Sequence, residues 1–511
     1  MPLPLSRRFF LGTAAAALAA PGLSRAAARP ALTHGVQTGD VTPEGAMIWA
    51  RADREAAMEV EWSTTERFAL ARKAPLLPLT AATGFAGKMM LTGLPADQTV
   101  FFRVTMVGLT DDYARSEPVV GRFRTPPATA RDVRFVWSGD VAGQGWGIDE
   151  ARGGMVGWRT MLGRRPDFMI HSGDTVYADG PLKAEVELKD GTLWKNVMTE
   201  EKSKVAETLD EYRGQWLYNL LDANVRAFNA ETPVMAQWDD HEVTNNWFPG
   251  RVLEDERYQV RDVNLLAARS ARAFHEMNPT PVHAAEPNRV YRKVAYGPHL
   301  DIFFLDMRTY RGPNDDNRQV EGAAFLGAEQ MAWLRRELAA STATWKVIAS
   351  DMPLGLIVWH DFANRKGFEN GANGDGPALG REVEISELLS FIKHAKVMNT
   401  VWLTADVHYA ASHHYSPDRA QFQDFEPFWE FVSGPLHAGT FGPGELDDTF
   451  GPEARFVIAP SAEEGQNLPP SMGKQFFGQV DIEGATGRMT VRHVNTTDEE
   501  LWSITLDPET A

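Results

Sequence analysis

Six short apolar runs in this chain each end in an aspartate. The runs RFVWS, FMIHS, PVMAQW, DIFFL, WKVIAS and TVWLTA lead to Asp140, Asp174, Asp239-Asp240, Asp306, Asp351 and Asp406. A short apolar run that ends in a turn is typical of a buried strand. Because parallel strands present their carboxyl ends at one edge of the sheet, the pattern predicts that these carboxylates converge. Carboxylates so close repel one another unless cations neutralise them, which indicates a hydrolytic site with several metal ions.

Apolar strands alternate with helical segments from residue 132 onward. Helices are predicted over residues 203–221, 265–276, 327–340 and 384–393, and strands again after residue 406, over 429–432, 475–482 and 489–494. This alternation predicts an α/β domain over residues 132–511. The late strands favour two sheets between helices, a four-layer α/β/β/α sandwich, over one doubly wound sheet.

Residues 30–127 have a different pattern of short strands separated by Gly and Pro. Met58-Glu59-Val60-Glu61-Trp62 alternates apolar and polar positions, as a half-buried strand does. Several such strands predict a small β-sandwich domain of immunoglobulin or fibronectin type. We find no catalytic cluster in its sequence.

The first 28 residues have the pattern of a twin-arginine signal peptide. Arg7-Arg8 precedes a short apolar run, residues 13–20, and Ala26-Ala27-Ala28 offers a cleavage site. The alternative is a chance Arg pair before an Ala-rich helix. We expect export by the twin-arginine machinery to the periplasm or the medium, with no stable membrane span elsewhere in the sequence.

Composition narrows the chemistry further. The net charge of −18 argues against a nucleic-acid-binding surface, and the absence of cysteine excludes a disulfide, a Cys-based zinc site and a cysteine nucleophile.

Two strand ends carry the first candidate ligands. Asp140 lies in a Gly-rich turn, where it is a metal ligand or an ordinary turn residue, and the carboxylate of Asp174 can bridge two cations. Tyr177 follows three residues later. A phenolate suits a hard ion such as Fe(III), and the alternative for Tyr177 is a packed aromatic with a hydrogen-bonded hydroxyl.

The segment 238–247, WDDHEVTNNW, is the densest polar cluster. Asp240 is a candidate metal ligand and His241 can give a proton to a phosphoryl oxygen or neutralise its charge. Asn245 and Asn246 can orient a substrate. The alternative for Asp239 is a structural one, in which it lies at a helix N-terminus, where the helix dipole favours a carboxylate.

Later strand ends add an arginine and a histidine. Arg308 can bind a phosphate bidentately or pair with Asp306 as a buried ion pair, and we favour the pair. Asp406 and His408 offer oxygen and nitrogen ligands. For the remaining candidates, His413, His414 and His437, a structural role is preferred.

In order along the chain, several motifs resemble the PhoD family of alkaline phosphatases. They are the twin-arginine signal, SGDVAGQGWG, HSGDTVYADG, WDDHEVTNNW, LDMRTYR, TADVHY and EFVSGPLHAGTFGP. The resemblance implies a calcineurin-like metallophosphoesterase fold. It also implies hydrolysis of phosphate monoesters, and often diesters, at alkaline pH by a metal-bound hydroxide. The implied cofactors are Fe(III) and Ca(II), with a pair of other divalent ions, Zn or Mn, as the alternative.

Carried over by position, the resemblance assigns a role to each candidate. Asp174 bridges the ions, Tyr177, Asp406 and His408 surround the iron, Asp240 holds the partner ion, and His241 is the catalytic histidine. Some relatives have a cysteine ligand beside the first strand. Here Gly139 occupies that position and Asp140 follows, so an oxygen ligand is expected to replace the sulfur.

Two other functions remain open at this point. A phosphodiesterase or phospholipase D-like enzyme would use the same fold, with specificity set by loops such as the Gly-rich segment 367–380. A non-catalytic extracytoplasmic binding protein is the alternative from another class, although such a protein has no need of the carboxylate and His set.

Overall fold

The structure is a computed structural model that describes residues 29–374 and 376–509. The predicted signal peptide lies outside the described residues. In the described part of the chain, no helix combines the length and apolarity needed to cross a membrane.

Eight strands form the amino-terminal part. They are β1 (Leu32–Thr42), β2 (Gly45–Ala52), β3 (Ala56–Ser63), β4 (Arg72–Lys73), β5 (Leu77–Leu79), β6 (Ala86–Thr92), β7 (Thr99–Val107) and β8 (Val119–Arg124). One sheet has the order β1-β2-β6, and the other has the order β4-β3-β7-β8 with β5 paired to β3. Side chains of both sheets share one core, because alternate residues such as Met58 and Val60 point inward.

The rest of the chain mixes strands and helices. Its strands are β9 (Val133–Ser138), β10 (Phe168–Ser172), β11 (Glu185–Glu187), β12 (Leu193–Lys195), β13 (Val234–Gln237), β14 (Arg292–Ala295), β15 (Leu300–Phe304), β16 (Trp345–Ala349), β17 (Leu356–Ile357), β18 (Trp359–Asp361), β19 (Lys366–Phe368), β20 (Thr400–Thr404), β21 (Ala410–Tyr415), β22 (Phe428–Val432), β23 (Glu445–Leu446), β24 (Pro452–Ile458), β25 (Phe476–Ile482), β26 (Met489–Asn495) and β27 (Glu500–Leu506). Its helices are α1 (Val156–Gly163), α2 (Leu209–Asn219), α3 (Ala223–Glu231), α4 (Val263–Met277), α5 (Ala328–Ala340) and α6 (Glu382–His394).

Two large mixed sheets organise this part. Their strand orders are β13-β10-β9-β25-β26-β27 and β14-β15-β16-β20-β22-β21-β24. One core cluster joins side chains of both sheets, among them Trp137, Phe304 and Leu403. A second cluster joins α1 to α4 with the first sheet, and a third joins α5 and α6 with the second.

Parallel register brings the acidic strand ends together. His171 of β10 pairs with Ser138 of β9, and Ser172 pairs with Gln237 of β13. In the other sheet, Ala349 of β16 pairs with Leu403 of β20. The residues that follow these strands therefore leave their sheets at one edge.

The helix predicted over residues 203–221 is wrong at its amino end. Helix α2 begins only at Leu209, because Thr208 and Glu211 form a reciprocal capping box that fixes the helix start. The other three predicted helices differ from α4, α5 and α6 by at most two residues at either end.

Candidate metal centre

The strand ends bring oxygen and nitrogen ligands into three overlapping groups. In each group, one ligand atom per residue lies within 4.8 Å of the others; the groups are Asp140-Asp174-His408, Asp174-Asp240-His241 and Asp239-Asp240-Asp406. Asp174 and Asp240 each belong to two groups. The arrangement can therefore hold neighbouring cations that share carboxylates.

Backbone strain accompanies these residues. Asp140, Asp174, Asp406 and His408 have φ values of 63°, 49°, 64° and 61°, in the left-handed region that residues other than glycine rarely adopt. Such conformations cost about 1–3 kcal/mol each and cluster at functional sites. Here they turn each side chain off its strand toward the common edge.

The first group includes the phenol of Tyr177. Its hydroxyl lies 2.9 Å from His408 Nε2 and 3.4 Å from Asp140 Oδ1. His408 Nε2 lies 3.2 Å from the same oxygen of Asp140, while its Nδ1 contacts the carbonyl of Gly439. The carbonyl fixes the ring so that Nε2 faces the group. Burial lowers the pKa of His408 to about 4, so the imidazole is neutral, as a metal ligand must be.

Two glycines fit closely against this group. A Cβ at Gly143 would lie 2.4 Å from the Tyr177 ring, so the loop after β9 can pass the phenol only with glycine there. A Cβ at Gly139 would lie 2.8 Å from Ala405 Cβ, which leaves no room for a cysteine without a shift of the backbone. The end of β9 therefore supplies a carboxylate oxygen of Asp140 as its ligand atom.

His241 is held by a carboxylate that the sequence analysis missed. Its Nδ1 lies 2.7 Å from Asp179 Oδ1, and its ring stacks on Tyr177 with centroids 4.2 Å apart. Burial alone lowers the pKa of His241, but the charges of Asp179 and Asp240 outweigh it and raise the pKa to about 10. Because Nδ1 faces Asp179, the Nε2–H of the imidazolium points away toward the ligand groups.

The acidic residues differ in protonation. Burial, followed by neighbouring carboxylates, raises the pKa of Asp174 well above its usual value, and the same holds for Asp140 and Asp406. Burial also acts on Asp240, but the charges of His241 and Arg308 outweigh it and lower the pKa to about 2. Without cations, the cluster therefore carries fewer negative charges than it has carboxylates.

Buried oxygens without partners show that the residues suit cations. Asp140 Oδ2, Asp239 Oδ2 and Asp240 Oδ1 are buried and accept no hydrogen bond from the described residues. Native proteins rarely leave such atoms unsatisfied. Carboxylate, imidazole and phenol ligands without sulfur suit hard or borderline ions.

Arg308 does not pair with Asp306, contrary to the favoured interpretation. Its guanidinium donates to Asp239 Oδ1 at 2.6 Å and to Glu369, and it lies 3.4 Å from Asp351. Asp306 instead accepts the backbone N–H groups of Arg308 and Thr309. The side chain of Arg308 is fully buried, so it neutralises carboxylates beneath the cluster.

Asp239 is not at a helix N-terminus. Residues 238–247 form no helix, and Asp239 is 1% exposed, in contact with Arg308 and itself a member of the third ligand group. The backbone N–H groups of Asp239, Asp174 and Thr175 all donate to Glu242, which the sequence analysis also left unassigned. Glu242 thereby joins the loops after β10 and β13.

The remaining candidates lie at different distances from the cluster. Asn246 donates its backbone N–H to Asp240 Oδ2 and its side-chain amide to the carbonyls of Trp359 and His360. Asn245 is exposed and donates its backbone N–H to Asp179. The three other histidines are engaged elsewhere: His413 contacts Glu430, His414 packs on Trp429, and His437 contacts the carbonyl of Gly147.

Comparison with known families decides the affiliation of the chain. The family model described as "PhoD-like phosphatase" matches residues 135–493, and the one described as "PhoD-like phosphatase, N-terminal domain" matches residues 15–127. The chain belongs to the PhoD-like phosphatase family. This confirms the resemblance found in the sequence.

Individual relatives agree with membership in the PhoD-like phosphatase family. Alkaline phosphatase D of Bacillus subtilis (strain 168) is 28% identical over 346 residues, which are 65% of this chain and 55% of that protein. The chain thus spans about half the length of this curated relative.

Two solved structures share the mixed α/β fold. The structure described as "Structure of PhoD" has a TM-score of 0.69 and 20% sequence identity. The match covers 96% of this chain and 90% of the chain in that structure. The purple acid phosphatase PPD1 from yellow lupin seeds has a TM-score of 0.55 and 12% identity, with coverage of 94% and 74%.

Proposed function

We propose that this protein is an exported, metal-dependent alkaline phosphatase that hydrolyses phosphate monoesters and also diesters. One observation carries the proposal: Asp174 links the first and second ligand groups and Asp240 links the second and third, in a chain that belongs to the PhoD-like phosphatase family. Adjacent cations are a recurrent means of stabilising both the attacking and the leaving oxygen at phosphorus.

The proposed cofactors are Fe(III) and Ca(II), with a Zn or Mn pair as the alternative. Asp140, Asp174, Tyr177 and His408 would hold the iron, and Asp240 would hold the partner ion. Asp406, which the resemblance puts beside the iron, shares a ligand group with Asp239 and Asp240 and would hold the partner ion with them. When bound, the ions would neutralise phosphate oxygens and lower the pKa of water.

His241 would act on the substrate by hydrogen bonding and proton transfer. Its imidazolium is oriented by Asp179 at 2.7 Å, which leaves the Nε2–H free for a phosphoryl oxygen or for the departing alkoxide. The alkoxide would leave as an alcohol after receiving that proton. The exposed Asn245 would orient the ester, while Asn246 would mainly shape the loop that carries Asp240.

Arg308 would position the cluster instead of binding phosphate. Its ion pairs with Asp239 and Glu369 oppose the rise that burial causes in the pKa of Asp239, a member of the third ligand group. This assignment replaces the bidentate phosphate contact considered from the sequence.

The domain organisation is part of the same proposal. Residues 1–28 would be the twin-arginine signal, 30–127 a β-sandwich domain, and 132–511 a four-layer α/β/β/α metallophosphoesterase domain. The shared core between the two large sheets, with helix clusters on both, supports this layering.

The direct test is turnover of 4-nitrophenyl phosphate and bis(4-nitrophenyl) phosphate by protein purified without chelator. Release of phosphate from the monoester at alkaline pH, lost after chelation and regained with metal, is the expected result. Turnover of the diester alone would favour the phosphodiesterase alternative. No turnover of either by fully metallated protein would refute the proposal.

A further inference from the structure

A cavity of about 470 Å³ opens beside the His241-Asp179 pair. Its walls come from the turn after His241, from the segment 251–257 and from His360 of β18. Asp179 and Asn245 line it directly, so it adjoins the place where the proposed function puts the ester. This cavity is suited to the leaving group of the ester.

The lining of the cavity favours a polar leaving group. Thr244, Asn245, Glu254 and His360 are among its walls, and the apolar contribution is Val252 and Leu253. Leu253 is itself only 3% exposed. Sites for acyl chains or aryl groups are lined mainly by apolar and aromatic side chains.

The two arginines of the cavity differ in how their charge is used. Arg257 pairs with Asp255 at 2.7 Å, so its charge is neutralised. Arg251 is half-buried and donates from Nη1 to the carbonyls of Asn245 and Asn246, at 2.8 and 3.2 Å. Among the described residues, it makes a salt bridge with no carboxylate. Its charge, with Nε and Nη2, is therefore available to a ligand.

We propose that Arg251 binds a second anionic group on the leaving-group side of the substrate. The inference rests on the proposed function and names the substrate class: small phosphate esters whose alcohol carries a carboxylate or a further phosphate. A guanidinium forms charge-assisted, bidentate hydrogen bonds with such groups. Hydrolysis breaks the P–O bond, the alcohol leaves with one proton, and water supplies the oxygen that phosphate keeps.

Glu254 provides a matched control because it is exposed on the rim of the same cavity with the opposite charge. The carboxylate of Glu254 would repel a second anionic group on the substrate. Removing it should therefore act in the direction opposite to the loss of Arg251.

The test compares 3-phosphoglycerate with glycerol 3-phosphate, two esters that differ chiefly in a carboxylate. Wild-type protein should favour 3-phosphoglycerate in kcat/KM by about tenfold, the range of one good charge-assisted contact. Arg251→Met should abolish the preference mainly through KM, Arg251→Lys should keep part of it, and Glu254→Gln should enlarge it.

Two results would overturn the inference. They are equal turnover of the two esters by wild-type protein and an unchanged preference in Arg251→Met, whether its activity is retained or lost equally for both esters. An equal loss would mean that Arg251 serves only the carbonyls of Asn245 and Asn246. Thermal unfolding of each variant separates such an effect from misfolding. Failure of the proposed function looks different, since no ester, including 4-nitrophenyl phosphate, would then be hydrolysed.

Discussion

Individual side chains in the cluster depend on partners that are distant in sequence. Asp179 lies 62 positions from His241 yet accepts from its Nδ1, and Arg308 reaches Asp239 across 69 positions. The apolar runs predicted Asp140, Asp174, Asp240 and Asp406 because a strand end is a local feature. No local pattern distinguishes Asp179 from a surface acid, so its role could be found only from the folded chain.

Asp179→Asn should weaken the hold on His241. The pKa of His241, about 10, should fall because the charge of Asp179 is the largest influence that raises it. The imidazolium is present only below its pKa. As pH rises, kcat should therefore begin to fall at a lower pH in the variant than in the wild type. We expect a loss of about 10- to 100-fold at pH 9 with metal content retained.

The pH–rate profile and metal analysis check this outcome. Asp255→Asn is the control, since Asp255 lines the same cavity but pairs with Arg257. A profile of Asp179→Asn that coincides with that of the wild type would refute the orienting role.

Arg308→Met should lower stability more than substrate affinity. The substitution leaves Asp239 and Glu369 buried without their cation, which costs about 3–5 kcal/mol in the free energy of unfolding. Denaturant unfolding measures the loss. Arg257→Met is the comparison, because its exposed pair contributes about 0–1 kcal/mol. Unchanged stability with a raised KM would instead support direct phosphate binding.

The ends of the strands determine where the site residues lie. Parallel pairing of β9, β10 and β13 places the three loops that follow these strands side by side at one edge of the sheet. The apolar pattern could predict these strands and the rough extent of α4 to α6. It could not predict the start of α2, because the capping box at Thr208 competes with a continuous helical pattern. Nor could it predict which loops touch across the two sheets.

Gly143→Ala tests the contact between the loop after β9 and Tyr177. The new methyl would lie 2.4 Å from the ring, so the ring or the loop must shift, which disturbs the contact of the phenol with His408. Overpacking of this kind costs about 1–3 kcal/mol. Metal content and thermal unfolding should both fall. Gly163→Ala in α1 is the control, because nothing lies within 4 Å of its added Cβ. Equal metal retention by both variants would contradict the tight fit.

At the scale of the whole molecule, removal of metal should make stability depend on pH. Burial and neighbouring carboxylates raise the folded-state pKa of Asp140, Asp174 and Asp406. The folded metal-free protein therefore holds protons that the unfolded chain releases above about pH 4. The free energy of unfolding should then decrease as pH rises from 4 toward the raised values.

Thermal unfolding of chelated and metal-loaded protein between pH 4 and 8 measures this effect. As pH rises from 4 to 8, the chelated protein should lose stability relative to the loaded protein. In the loaded protein, bound cations keep the carboxylates ionised over the whole pH range. Parallel curves for the two forms would show that the cluster needs no cation.

The central claim is that shared carboxylates hold cations for phosphate ester hydrolysis. Its most direct test is the metal content, by mass spectrometry, of Asp174→Asn and wild-type protein purified without chelator, with 4-nitrophenyl phosphate turnover measured on the same samples. Because Asp174 belongs to two ligand groups, the variant should lose stoichiometric metal and most activity together. A fully metallated, fully active Asp174→Asn protein would contradict the account.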